Sequence, residues 1–134
     1  MSVFRKMNWD ALVHEYDLDG SRLLPWEGIK APFGGAWCVV RPGTESRRHS
    51  HDEYELFIAI DGSAEVRVGE RYILAQKGDL VLLPLNTEHS VKNSSEEDFH
   101  FYSIYQCELS EHRHLLIRMC LQSLPSQYST RCPS

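Results

Sequence analysis

Between residues 35 and 105 the chain is cut into short apolar or alternating runs by turn residues, and this punctuation constrains its fold more than any other feature. The runs read AWCVVR, YELFIAI, AEVRV, RYILAQ, DLVLLP, EHSVKN and DFHFYSIY, separated by breaks containing RPG, DG, GE, KGD and PLN. Runs of five to eight residues, rich in β-branched and aromatic side chains, suit strands, while Gly, Asn and Asp in the breaks supply turn conformations. Many short strands at near-regular spacing predict an all-β, antiparallel sandwich or barrel. Within IDGSAEV, Asp61-Gly62 reads as a tight hairpin turn joining two strands.

The flanks differ from this core. Residues 1–34 form an N-terminal arm: NWDALVHEY has the pattern of one or two helical turns, and SRLLPWEGIKAPFGG reads as an extended, Pro-punctuated segment suited to wrapping a barrel or its dimer mate. After Tyr105, SEHRHLLIRMCLQSL carries Leu115, Leu116, Met119 and Leu121 behind a start at Ser110 and Glu111, which predicts a short amphipathic C-terminal helix. A polar tail, PSQYSTRCPS, follows. The organisation expected is therefore an arm (1–34), one barrel (35–106), and a helix with tail (107–134), in a chain of 134 residues that suits a single core.

Composition narrows the partners. With 42% hydrophobic and 25% charged residues the balance is that of a globular protein, and a net charge of −5 argues against nucleic acid. No apolar run approaches the roughly 20 residues that span a bilayer, and the N-terminus lacks the apolar core of a secretory signal, so no membrane partner and a cytoplasmic location are expected. Cys38, Cys107, Cys120 and Cys132 show no C-x-x-C spacing; no disulfide framework is expected, and Cys38 in AWCVV reads as a small buried hydrophobe.

The chemistry concentrates in HSHDEYE. On a strand, His49, His51, Glu53 and Glu55 share one face, so two imidazoles two residues apart can grip one metal ion. The second His-x-His, His112 and His114, falls in the predicted helix, where the rings diverge. His14 and His100 read as surface or packing histidines, although His100 shares a strand face with Tyr102. His89 enters a strand after a Pro and Asn turn and is a candidate third imidazole.

The spacing around these residues is distinctive. Gly43 is followed after five residues by His49, then His51, Glu55 after three more, and Gly62 after a further six. Gly78 is followed after five by Pro84, then Asn86, His89 after two, and Asn93 after three. These resemble the two motifs of the cupin superfamily, G(X)5HXH(X)3-4E(X)6G and G(X)5PXG(X)2H(X)3N. Asn86 alone departs, standing where the family has Gly, and Asn is the residue that best tolerates the positive φ such a turn requires. The resemblance covers about residues 35–105 and implies a jelly-roll barrel holding one divalent metal ion through His49, His51, Glu55 and His89. Glu53 has the parity of Glu55 but misses the family spacing.

Such a donor set binds Zn, Fe(II), Mn, Ni or Co, ligand identity alone not choosing among them, and leaves one or two positions for water or substrate. By strand parity, Phe57, Ala59, Val91 and Asn93 line the cavity near the metal. Polar contacts are sought among Glu45, Arg47, Arg48, Glu53, His100 and Tyr102, with Arg47 suited to a substrate carboxylate, Glu53 to proton transfer, and Tyr102 to a further catalytic contact.

A narrower resemblance lies in MNWDALVHEYDLDGSRLLPWEG, APFGGAWCVVRPGTES, HSHDEYELFIAI and EDFHFYSIY. These are similar to small actinobacterial cupins that work with a domain resembling methionyl-tRNA synthetase as hydrazine synthetases. In that family the synthetase-like part joins an amino acid to the oxygen of an N-hydroxylated amine such as N6-hydroxylysine, and the cupin rearranges the ester to form an N–N bond, a step that needs no O2 and so favours a redox-inert Zn, with Fe(II) or Mn next. The resemblance implies a small-molecule substrate and a separate, ATP-dependent synthetase-like partner, since these residues contain no ATP-binding segment; a homodimer is expected by analogy of fold. The competing expectations are an Fe(II) or Mn dioxygenase or isomerase acting on a small acid, and a non-catalytic cupin that binds a small ligand.

Overall fold

The structure is a computed structural model and describes residues 3–29 and 31–106. The short runs become strands: β1 (Val13–Glu15), β2 (Leu18–Arg22), β3 (Phe33–Val40), β4 (Tyr54–Asp61), β5 (Ser63–Val68), β6 (Arg71–Gln76), β7 (Leu80–Leu83), β8 (His89–Lys92) and β9 (Phe99–Gln106). They form a six-stranded sheet in the order β1-β2-β3-β9-β4-β7 and a three-stranded sheet in the order β6-β5-β8, all pairings antiparallel. The fold class is the expected all-β sandwich. The expected C-terminal helix lies outside the described residues, as do Cys107, Cys120, Cys132, His112 and His114. No helix among the described residues is long and apolar enough to cross a membrane.

Alternation decides which face is buried. Along β4, residues 55, 57 and 59 point inward, and along β9 Phe99, Phe101, Ser103 and Tyr105 do. Phe57, Phe101, Phe99, Val40 and Leu83 of the larger sheet pack against Val66, Ala64, Ala75 and Val91 of the smaller one. Phe57 and Phe101 lie with ring centroids 4.4 Å apart at the centre of this core.

Two expectations change. Asp61-Gly62 does not close a hairpin, because β4 pairs with β7 and β9 whereas β5 pairs with β6 and β8. The chain instead passes from one sheet to the other there. Gly62 has φ +82°, and a Cβ on it would sit 2.4 Å from the Asp98 carbonyl oxygen, so the corner needs Gly both for conformation and for space. The N-terminal segment also departs from one or two helical turns followed by an extended arm. A single 3-10 turn, Trp9–Ala11, is capped by the Asn8 side chain, and β1 and β2 then extend the larger sheet against β3. Tyr16 and Asp17, both at positive φ (54° and 62°), close the β1–β2 hairpin.

Asp19 ties this hairpin down. His14 Nδ1 donates to its Oδ1 at 2.8 Å and Arg41 Nε to its Oδ2 at 2.9 Å, while Arg41 Nη1 reaches Asp98 at 2.9 Å. The His14 bond, reinforced by Arg41, holds the Asp19 carboxyl below its ordinary value. A carboxyl lowered on folding stabilises above its unfolded pKa of about 3.9, and that contribution is lost as pH falls through the lower folded value. Asp19→Asn is expected to cost about 1 kcal/mol or less at pH 7, with the gap to wild type closing below pH ~4. Urea unfolding between pH 3 and 7 reads this directly, and a gap that stays constant across the range would refute it.

Candidate metal centre

Four donor side chains converge between the sheets. His89 opens β8, Glu55 is the second residue of β4, and the segment ahead of β4 carries His49 and His51. That segment is not the regular strand expected from parity. His49 forms one antiparallel bridge with His89, with N–O distances of 3.3 and 3.0 Å, and the chain then runs irregularly to Tyr54. Its ladder is interrupted because the His51 carbonyl accepts from Asn86 N at 2.7 Å, and Asn86 sits at φ +54° in the turn ahead of β8. Inward alternation survives the irregularity: His51, Glu53 and Glu55 are 7%, 1% and 2% exposed.

The ring orientations share one device. His49 Nδ1 lies 2.9 Å from the Arg47 carbonyl, His51 Nδ1 3.1 Å from the Glu53 carbonyl, and His89 Nδ1 3.1 Å from the Thr87 carbonyl. A carbonyl only accepts, so each Nδ1 carries a proton, and each ring is left to turn its Nε2 to the centre. One donor atom from each of His49, His51, Glu55 and His89 lies within 4.8 Å of the others. Glu55 Oε1 stands 3.0 Å from His51 Nε2 and 3.4 Å from His89 Nε2.

Lone pairs facing a buried carboxylate are unfavourable unless a cation or a proton sits among them. The buried His89 Nε2 has no hydrogen-bond partner among the described residues. The group therefore suits one metal ion, with three imidazole nitrogens and a carboxylate oxygen as donors. Ser103 Oγ donates to Glu55 Oε2, leaving Oε1 for the centre. Ser103→Ala is expected to lower metal affinity by about 10-fold, the low end of what outer-shell partners contribute. Competition with a chromophoric chelator measures it, and unchanged affinity would remove Ser103 from the site.

A cavity of ≈ 70 Å³ opens beside these donors, room for several waters or a small ligand group. Its walls are mostly apolar, with Leu18, Phe57, Val91 and Phe101, and among the lining residues Tyr16 stacks on His49 with ring centroids 5.3 Å apart.

A cupin domain model matches residues 36–105, more than half of the chain. The chain belongs to the cupin family. This cupin is similar to the plu4264 protein from Photorhabdus luminescens, with 54% identity over 92% of this chain and 100% of that one and a TM-score of 0.79. It is also similar to a cupin 2 conserved barrel domain protein from Salinispora arenicola, with 37% identity over 79% of this chain and 89% of that one and a TM-score of 0.75. A predicted oxalate decarboxylase from Thermotoga maritima shares the fold alone, at 19% identity over 68% of this chain and 81% of that one and a TM-score of 0.63. No curated protein matches.

The cupin barrel places the other sequence-derived candidates apart from the cavity. Glu53 is buried behind His51, its Oε1 3.7 Å from Nδ1, and is neither in the donor group nor in the cavity wall. Arg47 points to the surface beside Asp17 at 3.5 Å and serves His49 through its carbonyl instead. Tyr102 and His100 occupy the outer face of β9, against Trp37; burial pushes the Tyr102 phenol up, so it stays protonated at neutral pH. Arg48 and Glu45 pair with each other at 3.6 Å, and Glu45 also accepts from Ser90. Of the residues expected in the wall, Phe57 and Val91 line the cavity, whereas Ala59 belongs to the core and the Asn93 amide donates to the Val40 and Glu97 carbonyls.

The structure adds wall residues that sequence reasoning missed: Glu15, Tyr16, Ser21 and Arg22 from the β1–β2 hairpin, and Ser103 and Tyr105 from β9. The β9 pair was available from alternation in DFHFYSIY, which sets Phe99, Phe101, Ser103 and Tyr105 on one face. The hairpin had no such signal.

Proposed function

We propose that this cupin is a metal-dependent enzyme that forms an N–N bond by rearranging the aminoacyl ester of an N-hydroxylated amine such as N6-hydroxylysine, the ester being supplied by an ATP-dependent synthetase-like partner. The observation that carries this reading is that the stretch from Met7 to Gly28, which bears the narrower family resemblance, supplies Val13, Glu15, Tyr16, Leu18, Ser21 and Arg22 to the cavity wall.

His49, His51, Glu55 and His89 would hold the ion, and Ser103 fixes the carboxylate of Glu55 through Oε2. A divalent ion in this donor set would supply Lewis-acid stabilisation of a carboxylate leaving group without any redox change, which favours Zn. The cavity wall folds the ester so that its free amino nitrogen approaches the hydroxylamine nitrogen. In the step itself the N–N bond forms as the N–O bond breaks, the N–O electron pair departs on the carboxylate oxygen, and the proton of the new N–N cation passes to water at the mouth. Apolar Leu18, Phe57, Val91 and Phe101 limit the water that would hydrolyse the ester first.

The test is to incubate the Zn-loaded protein with a synthetic glycyl ester of N6-hydroxylysine and look for the hydrazine by mass spectrometry. The N–N product, absent with His89→Ala, is expected; hydrolysis alone by fully metallated protein would contradict the reading. Native iron accompanied by O2 uptake would support a dioxygenase in its place.

A further inference from the structure

Arg22 and Glu15 form an ion pair inside the cavity wall, Arg22 Nη2 donating to Glu15 Oε2, with side chains only 20% and 26% exposed. They sit on one face of the β1–β2 hairpin, because Val13 pairs with Gly20 and Glu15 with Leu18, while Leu18, Gly20 and Arg22 alternate along β2. Gly20, between them on that face, has no side chain to stand in the way. Arg22 is the one Arg or Lys among the described residues that line the cavity, and Glu15 is its one carboxylate outside the metal-donor group.

We infer that this pair is a subsite for the α-ammonium and α-carboxylate of an amino-acid substrate, Arg22 taking the carboxylate and Glu15 the ammonium. This deepens, and rests on, the proposed reaction. A half-buried ion pair is intolerant of a single added charge: a plain carboxylate would occupy Arg22 and strand Glu15 without a partner, and a plain amine would do the reverse. A zwitterionic head group inserted between them gives every charge an opposite neighbour. The planar guanidinium also offers a fork of two N–H donors matched to a carboxylate, which an ammonium does not. The subsite therefore selects by class, and holds the substrate's amino-acid end at the hairpin wall while its other end extends along the cavity to the metal donors.

Calorimetric titration of the Zn-loaded protein with L-lysine, 6-aminohexanoate and cadaverine tests the assignment, since the last two each lack one α-group. L-Lysine is expected to bind at least about 10-fold more tightly than either analogue, one charge-assisted contact being worth about that factor. Arg22→Met should lower L-lysine affinity by about 10-fold or more at unchanged zinc content, and Arg22→Lys, which keeps the charge and packing stem, should recover only part of it. Glu15→Gln should reduce the preference for L-lysine over 6-aminohexanoate. Equal affinity for all three ligands, no L-lysine binding, or an Arg22→Met protein that binds L-lysine normally would overturn the subsite. Arg22-dependent lysine binding without N–N product would leave the subsite standing and remove the reaction; N–N product with an unchanged KM in Arg22→Met would do the opposite.

Discussion

Replacing His89 with Ala is expected to lower divalent-metal affinity by more than the roughly 10–100-fold typical of outer-shell substitutions, and to abolish any metal-dependent turnover. The residue does three things at once. Its Nε2 is a buried donor atom, its Nδ1 is fixed by the Thr87 carbonyl, and its backbone bridges His49, so it links the two halves of the donor set. Only the first two are lost in the variant, because the backbone bridge needs no side chain, and the barrel should fold. Thermal unfolding separates the effects: a ligand at 100 times its Kd stabilises by about 2.7 kcal/mol, so added Zn should raise the wild-type Tm by several degrees and leave that of His89→Ala unmoved. An equal Zn-dependent shift in both proteins would exclude His89 as a ligand.

The second large effect is structural. Gly62→Ala is expected to destabilise the fold by about 3 kcal/mol or more, combining a left-handed conformation with a Cβ 2.4 Å from the Asp98 carbonyl and 3.2 Å from Phe99 Cα. Both contacts are backbone, so relief requires moving the start of β9, which carries Phe99 and Phe101 into the core. Gly43→Ala is the control. It shares positive φ, at +75°, yet nothing lies within 4 Å of the position its new methyl group would take, so about 1–2 kcal/mol is expected. Denaturant unfolding of the two variants side by side distinguishes conformation from crowding, and equal losses would show that the Asp98 contact contributes nothing.

Much of the barrel is legible because strand periodicity is local. DFHFYSIY alternates, and β9 buries every second residue of it. The motif spacing picks out His49, His51, Glu55 and His89, and the fold brings those side chains together. Asn86, the departure from the family spacing, adopts the positive φ that its chemistry permits. What is illegible depends on long-range pairing. Asp61-Gly62 has the composition of a hairpin turn, but composition cannot say that the next strand joins the other sheet; the Asp98 carbonyl that demands Gly62 is distant in sequence. The β1–β2 hairpin is hidden because Tyr16-Asp17 closes it where Asn-Gly would have announced it. Without that hairpin the cavity's cation falls to Arg47, which in the fold reaches Asp17 at the surface, while the hairpin supplies Arg22. Tyr102 shares its face with His100, and both have the parity opposite to Ser103, whose hydroxyl meets Glu55.

The most direct test of the metal centre is the metal content of protein prepared without a histidine tag, measured by elemental analysis per folded chain. One equivalent of a divalent ion is predicted, removable by a strong chelator, restored by adding Zn back, and absent from His89→Ala. A folded protein that holds no metal as isolated and takes up none from Zn, Fe(II) or Mn would contradict it.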